Sequence, residues 1–93
     1  MMIRNVSISG IGSTEFGKLR DRTIGQLAVD AAEVAIKDSA VDRRDIGAIY
    51  LGNFVSGMLT GQEILAGLVG DNLGLGNIPC TKVEGACASG SIA

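Results

Sequence analysis

Cys87 is the residue of this chain whose type and surroundings best suit chemistry. It lies in a run of small residues, 85–91, where a predicted strand gives way to a predicted helix. A thiolate is a strong nucleophile, and a helix N-terminus stabilises it through free N–H groups and the helix dipole. The same N–H groups, that of Cys87 included, can accept charge that develops on the oxygen of an attacked carbonyl. Ala88, Ser89 and Gly90 leave room for a substrate and for close approach of the backbone.

A buried cysteine that acts only as a small apolar residue is the alternative interpretation of Cys87. Composition alone favours this structural role, because free cysteine is among the most buried residue types. Cys80 is assigned to it, since it lies within a predicted strand and no helix end is near to activate it. The spacing C-x6-C fits no zinc pattern and the chain has no histidine. We therefore expect neither a structural metal nor a disulfide framework.

Two glycines near the N-terminus, Gly10 and Gly12, invite comparison with the dinucleotide-binding pattern G-x-G-x-x-G. Glu15 occupies the position of the third glycine, and a long loop separates this segment from the next predicted helix. The pattern requires that helix to begin at the pyrophosphate. We therefore interpret both residues as turn glycines. Residues 60–62 (T-G-Q) fit either a functional loop or, more simply, the start of a helix.

The composition is typical of a chain that buries a core, with 46% apolar and 19% charged residues. Fourteen glycines and few aromatic residues indicate an α/β chain with tight turns. A net charge of -2 without a long basic run argues against nucleic-acid partners and a polybasic membrane surface. Arg43 and Arg44 are interpreted as a solvated turn. The lack of a signal-peptide core after Met1, and of any bilayer-length apolar stretch, predicts a cytoplasmic location.

The elements that must position Cys87 follow from apolar periodicity and capping signals. Thr23 and Gln26 form a capping box, which predicts where the first helix begins. Residues 46–51 are almost continuously apolar, as expected for a strand covered on both faces. The predicted elements are strands at residues 5–9, 46–51 and 80–84, helices at residues 23–39 and 62–73, and a helix that begins near Cys87.

These elements give the order β-α-β-α-β-(α), in which right-handed crossovers make the strands parallel. Pro79 opens the third strand, a position that proline tolerates. Lys82 and Glu84 lie on one face of this strand. Charged side chains on that face indicate an edge strand or a contact between subunits.

The segment around Cys87, V-E-G-A-C-A-S-G at residues 83–90, closely resembles the nucleophile segment of thiolases, whose pattern is V-E-x-A-C-A-S-G. Residues 8–19 (I-S-G-I-G-S-T-E-F-G-K-L), 45–52 and 61–62 are similar to the sterol-carrier-type and archaeal acetyl-CoA acetyltransferase branch of that family. The resemblance covers essentially all of this chain, but only the opening portion of a full family member.

The resemblance implies that residues 1–93 are an incomplete N-terminal thiolase domain that stops inside the helix after Cys87. That domain begins a layered α/β/α/β/α fold, and its strand before the nucleophile lies near a molecular two-fold axis. The family uses no bound cofactor. Its cysteine nucleophile takes an acyl group from a coenzyme A thioester, which assigns this catalytic role to Cys87. The activating histidine and a second cysteine belong to later motifs, and Cys80 does not match the second cysteine. We therefore expect this chain alone to be inactive.

For this branch the resemblance implies an acetyl-CoA C-acetyltransferase, which condenses two acetyl-CoA molecules to acetoacetyl-CoA for isoprenoid synthesis. It implies a homodimer or homotetramer, with a hydroxymethylglutaryl-CoA synthase as a candidate partner. Degradative 3-ketoacyl-CoA thiolysis is a nearly equal alternative, and decarboxylative condensing enzymes carry less weight. A non-catalytic binding or scaffold protein, in which Cys87 only packs, is the alternative from a different class.

Overall fold

Helices pack on a two-stranded parallel sheet in the computed structural model, which describes residues 4–93. Four helices and two strands follow one another along these residues, together with two short 3-10 turns at Arg43–Asp45 and Ala86–Ala88. The elements are α1 (Ile24–Ser39), β1 (Ile49–Gly52), α2 (Ser56–Thr60), α3 (Leu65–Asn72), β2 (Cys80–Val83) and α4 (Ser89–Ile92).

The start of α1 shows why this helix begins where the sequence predicts. The Thr23 hydroxyl accepts a hydrogen bond from the Gln26 N–H (3.1 Å), and the Gln26 side chain accepts one from the Thr23 N–H (2.8 Å). Two N–H groups that the helix itself leaves unpaired are thereby satisfied. The helix ends at Ser39, and Ala40 follows in the left-handed conformation (φ 57°). Both predicted ends of this helix are confirmed.

The core is built on α3. Leu65, Val69 and Leu73 are buried, and Leu65 is only 1% exposed. Burying a leucine of this kind stabilises the fold by roughly 1.5–3 kcal/mol. The partly buried residues that pack against this cluster come mainly from α1 and β1: Ile24, Ala28, Val29, Ala32, Ile36, Ile49, Leu51, Leu68 and Leu75.

The sheet consists of β1 and β2 in parallel, with Ile49 opposite Cys80 and Gly52 opposite Val83. The chain between the strands crosses over through α2 and α3, which confirms the predicted parallel arrangement. A further hydrogen bond from the Asn53 N–H to the Val83 carbonyl (3.1 Å) extends the ladder past the end of β1. Because both strands end at the same edge, the segment after β2 lies beside the segment after β1.

The predicted strand at residues 5–9 is wrong in this structure. These residues form no ladder, and the alternating pair Val6 and Ile8 is 92% and 86% exposed. The chain that follows runs along α1 instead of β1: Gly10 lies against Ala35 and Ser39, and the Ile11 N–H donates to Asp38 (3.0 Å). A strand needs a partner as well as an alternating pattern, and residues 5–9 have no partner strand among residues 4–93. The described sheet therefore has two strands rather than three.

Two further boundaries differ from the prediction. The helix expected at residues 62–73 is shorter, because Gly61 ends α2 in the left-handed conformation (φ 75°) and α3 begins only at Leu65. Residues 60–62 are thus the end of one helix and not the start of the next. The strand expected at residues 46–51 begins at Ile49 and is not covered on both faces. Helices α1 and α3 pack on the side of Ile49 and Leu51, whereas Tyr50 on the other side is exposed.

Arg43 is not part of a solvated turn. Its guanidinium donates to the Leu73 carbonyl at the end of α3 (2.9 Å) and pairs with Glu33 of α1. The hydrogen bond that Arg43 donates to the Glu33 carboxylate raises the pKa of Arg43 above its usual value. Arg44 is solvated as predicted, with an exposed side chain paired to Asp42. Arg43 therefore joins two helices, a tertiary contact that the charge pattern alone did not indicate.

None of the helices formed by residues 4–93 has the length and apolar character needed to cross a membrane.

Candidate functional site

The candidate site is the turn that joins β2 to α4. After Val83 the chain passes through Glu84 and Gly85, and Ala86 then adopts a left-handed conformation with φ 51°. The 3-10 turn Ala86–Ala88 follows and leads directly into α4. Cys87 lies in the middle of this turn and is exposed. Helical backbone thus begins next to Cys87, where the sequence predicted a strand-to-helix junction.

A left-handed alanine one residue before the candidate nucleophile is uncommon. L-residues other than glycine rarely adopt positive φ because the β-carbon crowds the following carbonyl oxygen. Such a conformation persists where surrounding contacts hold it, and it is most frequent at functional sites. In this turn it gives the backbone the sharp change of direction between β2 and the helical segment that carries Cys87.

Two side chains hold this turn by hydrogen bonds to its backbone. The Ser89 hydroxyl accepts from the Gly85 N–H (2.9 Å) and donates to the Ala86 carbonyl (2.7 Å). Ser89 is 4% exposed, and both of its hydrogen bonds are partly buried. On the outer side, the Glu84 carboxylate accepts from the Ala86 N–H. Ser89 and Glu84 together pair three backbone groups of the turn, and we name the two residues the turn clamp.

The N–H group of Cys87 remains available for another acceptor. The Gly85 and Ala86 N–H groups donate to the turn clamp, and the Ala88 N–H donates to the Gly85 carbonyl (3.0 Å). No acceptor for the Cys87 N–H is found among residues 4–93. A free donor beside an exposed thiol is the arrangement that stabilises a developing oxyanion during attack on a carbonyl.

Glycines let the turn pack closely against its neighbours. A β-carbon at Gly52, the last residue of β1, would lie 2.3 Å from the Ser89 carbonyl oxygen. One at Gly85 would lie 2.0 Å from the Ile92 side chain. The beginning of α4 therefore rests directly on the backbone at the end of β1, and this contact sets the height of Cys87 above the sheet.

The other chemically capable residues of the sequence lie apart from this turn. Cys80 is half-buried in β2, where its thiol contacts the Ile78 carbonyl at 3.6 Å and packs near Gly70 of α3. Gly10 and Gly12 pack against the α1 backbone, so they permit a close approach rather than line a nucleotide site. Within residues 4–93, no group of His, Cys, Asp and Glu is arranged to hold a metal ion.

The sequence model of the family described as "Thiolase, N-terminal domain" matches residues 3–93. The chain belongs to the thiolase family. The matched range includes the whole turn around Cys87, so this turn is part of a thiolase N-terminal domain.

Curated relatives agree with this assignment. The chain is 44% identical over 91 residues to an acetyl-CoA acetyltransferase of Methanocaldococcus jannaschii and 40% identical over 91 residues to one of Methanothermobacter thermautotrophicus. It is 38% identical over 92 residues to a benzoylsuccinyl-CoA thiolase subunit of Thauera aromatica. These alignments cover 97–98% of this chain but only 22–24% of the relatives. The chain thus spans about a quarter of the length of the thiolases it matches.

The sequence singled out Cys87 and its N–H as candidates but indicated no role for the turn clamp. Glu84 was considered only as a charge on a strand face, and Ser89 only as a small residue. The available signal was the thiolase pattern itself, which contains a glutamate three residues before the cysteine and a serine two residues after it. A side chain that pairs backbone groups of a turn is a common role for both residue types.

Proposed function

We propose that the whole protein transfers acyl groups on coenzyme A thioesters and that Cys87 is the nucleophile. This proposal rests on the exposed thiol of Cys87 in the thiolase segment, beside a backbone N–H that has no acceptor among residues 4–93. An accessible thiol can reach a substrate, whereas a buried structural cysteine cannot. The position of Cys87 therefore supports catalysis over a packing role.

The chemistry follows from the thiolate. Its sulfur attacks the acyl carbon of the thioester, and the carbonyl oxygen gains negative charge that the Cys87 N–H is placed to accept. The carbon–sulfur bond to coenzyme A then breaks, and coenzyme A leaves as a thiol with the proton given up by Cys87. The products are an S-acyl cysteine and free coenzyme A. No oxidant, reductant or metal is required.

The substrate we propose is acetyl-CoA, with acetoacetyl-CoA as product. The two archaeal relatives named acetyl-CoA acetyltransferase support this choice. In the second step, the α-carbon of another acetyl-CoA loses a proton and attacks the acyl carbon on Cys87, which releases the cysteine. Thiolysis is the reverse of this sequence, and the relative named benzoylsuccinyl-CoA thiolase subunit supports it as a second candidate function.

The proton transfers need a base that this chain does not supply. It contains no histidine, and positioned acid–base groups contribute typically 10²–10⁴-fold to a rate. We therefore propose that the base belongs to the whole protein outside these residues and that this chain alone does not turn over acetyl-CoA. A measurable release of coenzyme A by the isolated chain, above the rate of its Cys87→Ser variant, would contradict this.

The proposed nucleophile is tested by incubating the whole protein with acetyl-CoA and examining the peptide that contains Cys87 by mass spectrometry. We expect an acetyl adduct on Cys87 that is lost in Cys87→Ser. Cys80→Ala is the matched control, because it removes the other thiol of this chain and should leave the adduct intact. An adduct that persists in Cys87→Ser, or wild-type protein without any adduct during turnover, would refute the proposal and favour the non-catalytic alternative.

Self-association is a further part of the proposal. The outer edge of β2 has no partner strand among residues 4–93, and an open strand edge is a ready site for pairing with another chain. We propose that the whole protein is a homodimer or a larger homo-oligomer. Analytical ultracentrifugation at micromolar concentration tests this, and a monomer under those conditions would refute it.

A further inference from the structure

We propose that Ser89 and Glu84, the turn clamp, are positioning residues for Cys87; this inference rests on the proposed function of Cys87 as the nucleophile. The proposal rests on the finding that both side chains form hydrogen bonds to the backbone of one residue in the left-handed conformation, Ala86. Ser89 holds the Ala86 carbonyl at 2.7 Å, and Glu84 holds the Ala86 N–H. Both peptide groups that flank the α-carbon of Ala86 are therefore fixed.

Ala86 needs these contacts because its backbone is unfavourable on its own. Its φ of 51° lies in the region that L-residues other than glycine rarely occupy. Without the clamp, Ala86 would relax toward negative φ. Its ψ and φ determine the direction of the peptide that enters Cys87, so such relaxation would rotate both the thiol and the N–H of Cys87.

The two clamp residues differ in environment, which makes their contributions separable. Ser89 is buried and also bonds to the Gly85 N–H, so it ties the turn to the first residue of α4. Glu84 is exposed and makes its bond from the solvent side. Removing the Ser89 hydroxyl leaves the Gly85 N–H and the Ala86 carbonyl without this partly buried partner, whereas removing Glu84 leaves an N–H on the solvent side of the turn.

Positioning has a signature that a purely structural role lacks. Acyl transfer from acetyl-CoA requires the thiol and the oxyanion donor in one geometry, and a misplacement of 1 Å can cost about 100-fold in rate. Alkylation by iodoacetamide has no such requirement, because it needs only an accessible thiolate. Loss of positioning should therefore slow acetylation of Cys87 far more than its alkylation.

The experiment compares these two rates in the whole protein for Ser89→Ala and Ser91→Ala. Ser91 lies in the same small-residue run, is exposed and makes no side-chain hydrogen bond within residues 4–93. We expect Ser89→Ala to lower the Cys87 acetylation rate by about 10- to 100-fold. Its alkylation rate and the rates of Ser91→Ala should remain within about threefold of wild type.

Glu84 keeps the proposal testable if Ser89→Ala does not fold. Glu84→Gln retains an oxygen that can accept from the Ala86 N–H, and Glu84→Ala does not. We expect the rate of Cys87 acetylation to depend on that acceptor, so that Glu84→Ala is acetylated about 10-fold more slowly than Glu84→Gln. Equal rates in the two Glu84 variants, or equal losses of acetylation and alkylation in Ser89→Ala, would overturn the positioning role. Wild-type protein that forms no acetyl adduct on Cys87 would instead refute the proposed function, and the positioning role with it.

Discussion

A methyl group at Gly52 would test whether the end of β1 supports the turn that carries Cys87. In Gly52→Ala the new β-carbon would lie 2.3 Å from the Ser89 carbonyl oxygen and 2.6 Å from the Gly90 nitrogen. Both are backbone atoms, so no side-chain rotation relieves the contact. The beginning of α4 must move by about 0.7 Å for the shorter distance to reach 3.0 Å, below which real β-carbon contacts are essentially not found.

That displacement sets two expected magnitudes. Overpacking of this kind destabilises a protein by about 1–3 kcal/mol. A shift of about 0.7 Å at the turn should also slow acetylation of Cys87 by about 10- to 100-fold, because attack on the thioester depends on geometry. We would measure the free energy of unfolding in guanidinium chloride and the acetylation rate by mass spectrometry, both in the whole protein. An m-value equal to that of the wild type would show that the variant exposes the same amount of surface on unfolding, so that the two free energies can be compared.

Gly47→Ala is the matched control, since it adds the same methyl group just before β1, where no atom of residues 4–93 other than its chain neighbours lies within 4 Å of that methyl group. It should change the free energy of unfolding by less than about 0.5 kcal/mol and leave acetylation unaffected. If Gly52→Ala behaves like Gly47→Ala in both measurements, α4 does not rest on β1 as described. A loss of stability without any loss of acetylation would show that the contact supports the fold but not the site.

Three further predictions concern the scaffold, each read by denaturant unfolding or NMR titration. Leu65→Ala should cost about 2–5 kcal/mol, because it opens a cavity in the core, whereas Leu59→Ala at an exposed position should be nearly neutral. Thr23→Ala should cost about 0.5–2 kcal/mol through loss of the cap of α1, and Thr23→Ser should retain most of that stability. Side-chain and backbone hydrogen bonds from Arg44 hold the pKa of Asp42 below its ordinary 3.8. This contribution to stability is present at pH values above 3.8 and is lost as the pH falls through the lowered pKa. Arg44→Ala should raise the titration midpoint of Asp42, and an unchanged midpoint would contradict this.

Local sequence patterns correctly predicted those elements that are determined by contacts between residues close together in the chain. The capping box of Thr23 and Gln26 involves groups only three residues apart, so the α1 start could be predicted without knowledge of the fold. The parallel pairing of β1 and β2 was predictable because a crossover through helices joins strands that run in the same direction. Residues 5–9 show the limit of this reasoning. Their alternation of apolar residues is a real strand signal, yet pairing also depends on where the following glycines direct the chain.

Arg43 shows the same limit for charge patterns. Its position next to Arg44 in the sequence predicts that both arginines are solvated, but their environments in the structure differ. Arg44 stays in solvent, whereas the Arg43 guanidinium reaches residues 10 and 30 positions away in the chain, Glu33 and Leu73. Those partners come together only because α1 and α3 pack side by side. A periodic pattern identifies the faces of these helices but not the surface residue that joins them.

The small-residue run around Cys87 combines two physical requirements that composition cannot separate. The sequence indicates that Ala88, Ser89 and Gly90 leave room for a substrate, and for Ala88 and Gly90 this agrees with their exposure. Ser89 is different, because it is buried beneath the turn and its hydroxyl pairs with the backbone. A larger residue at 88 would thus obstruct what approaches Cys87, whereas one at 89 would displace Cys87 itself. Variants at positions 88 and 89 should therefore affect different kinetic steps. Those at 88 should change binding of the thioester, and those at 89 should change the rate at which the bound thioester reacts.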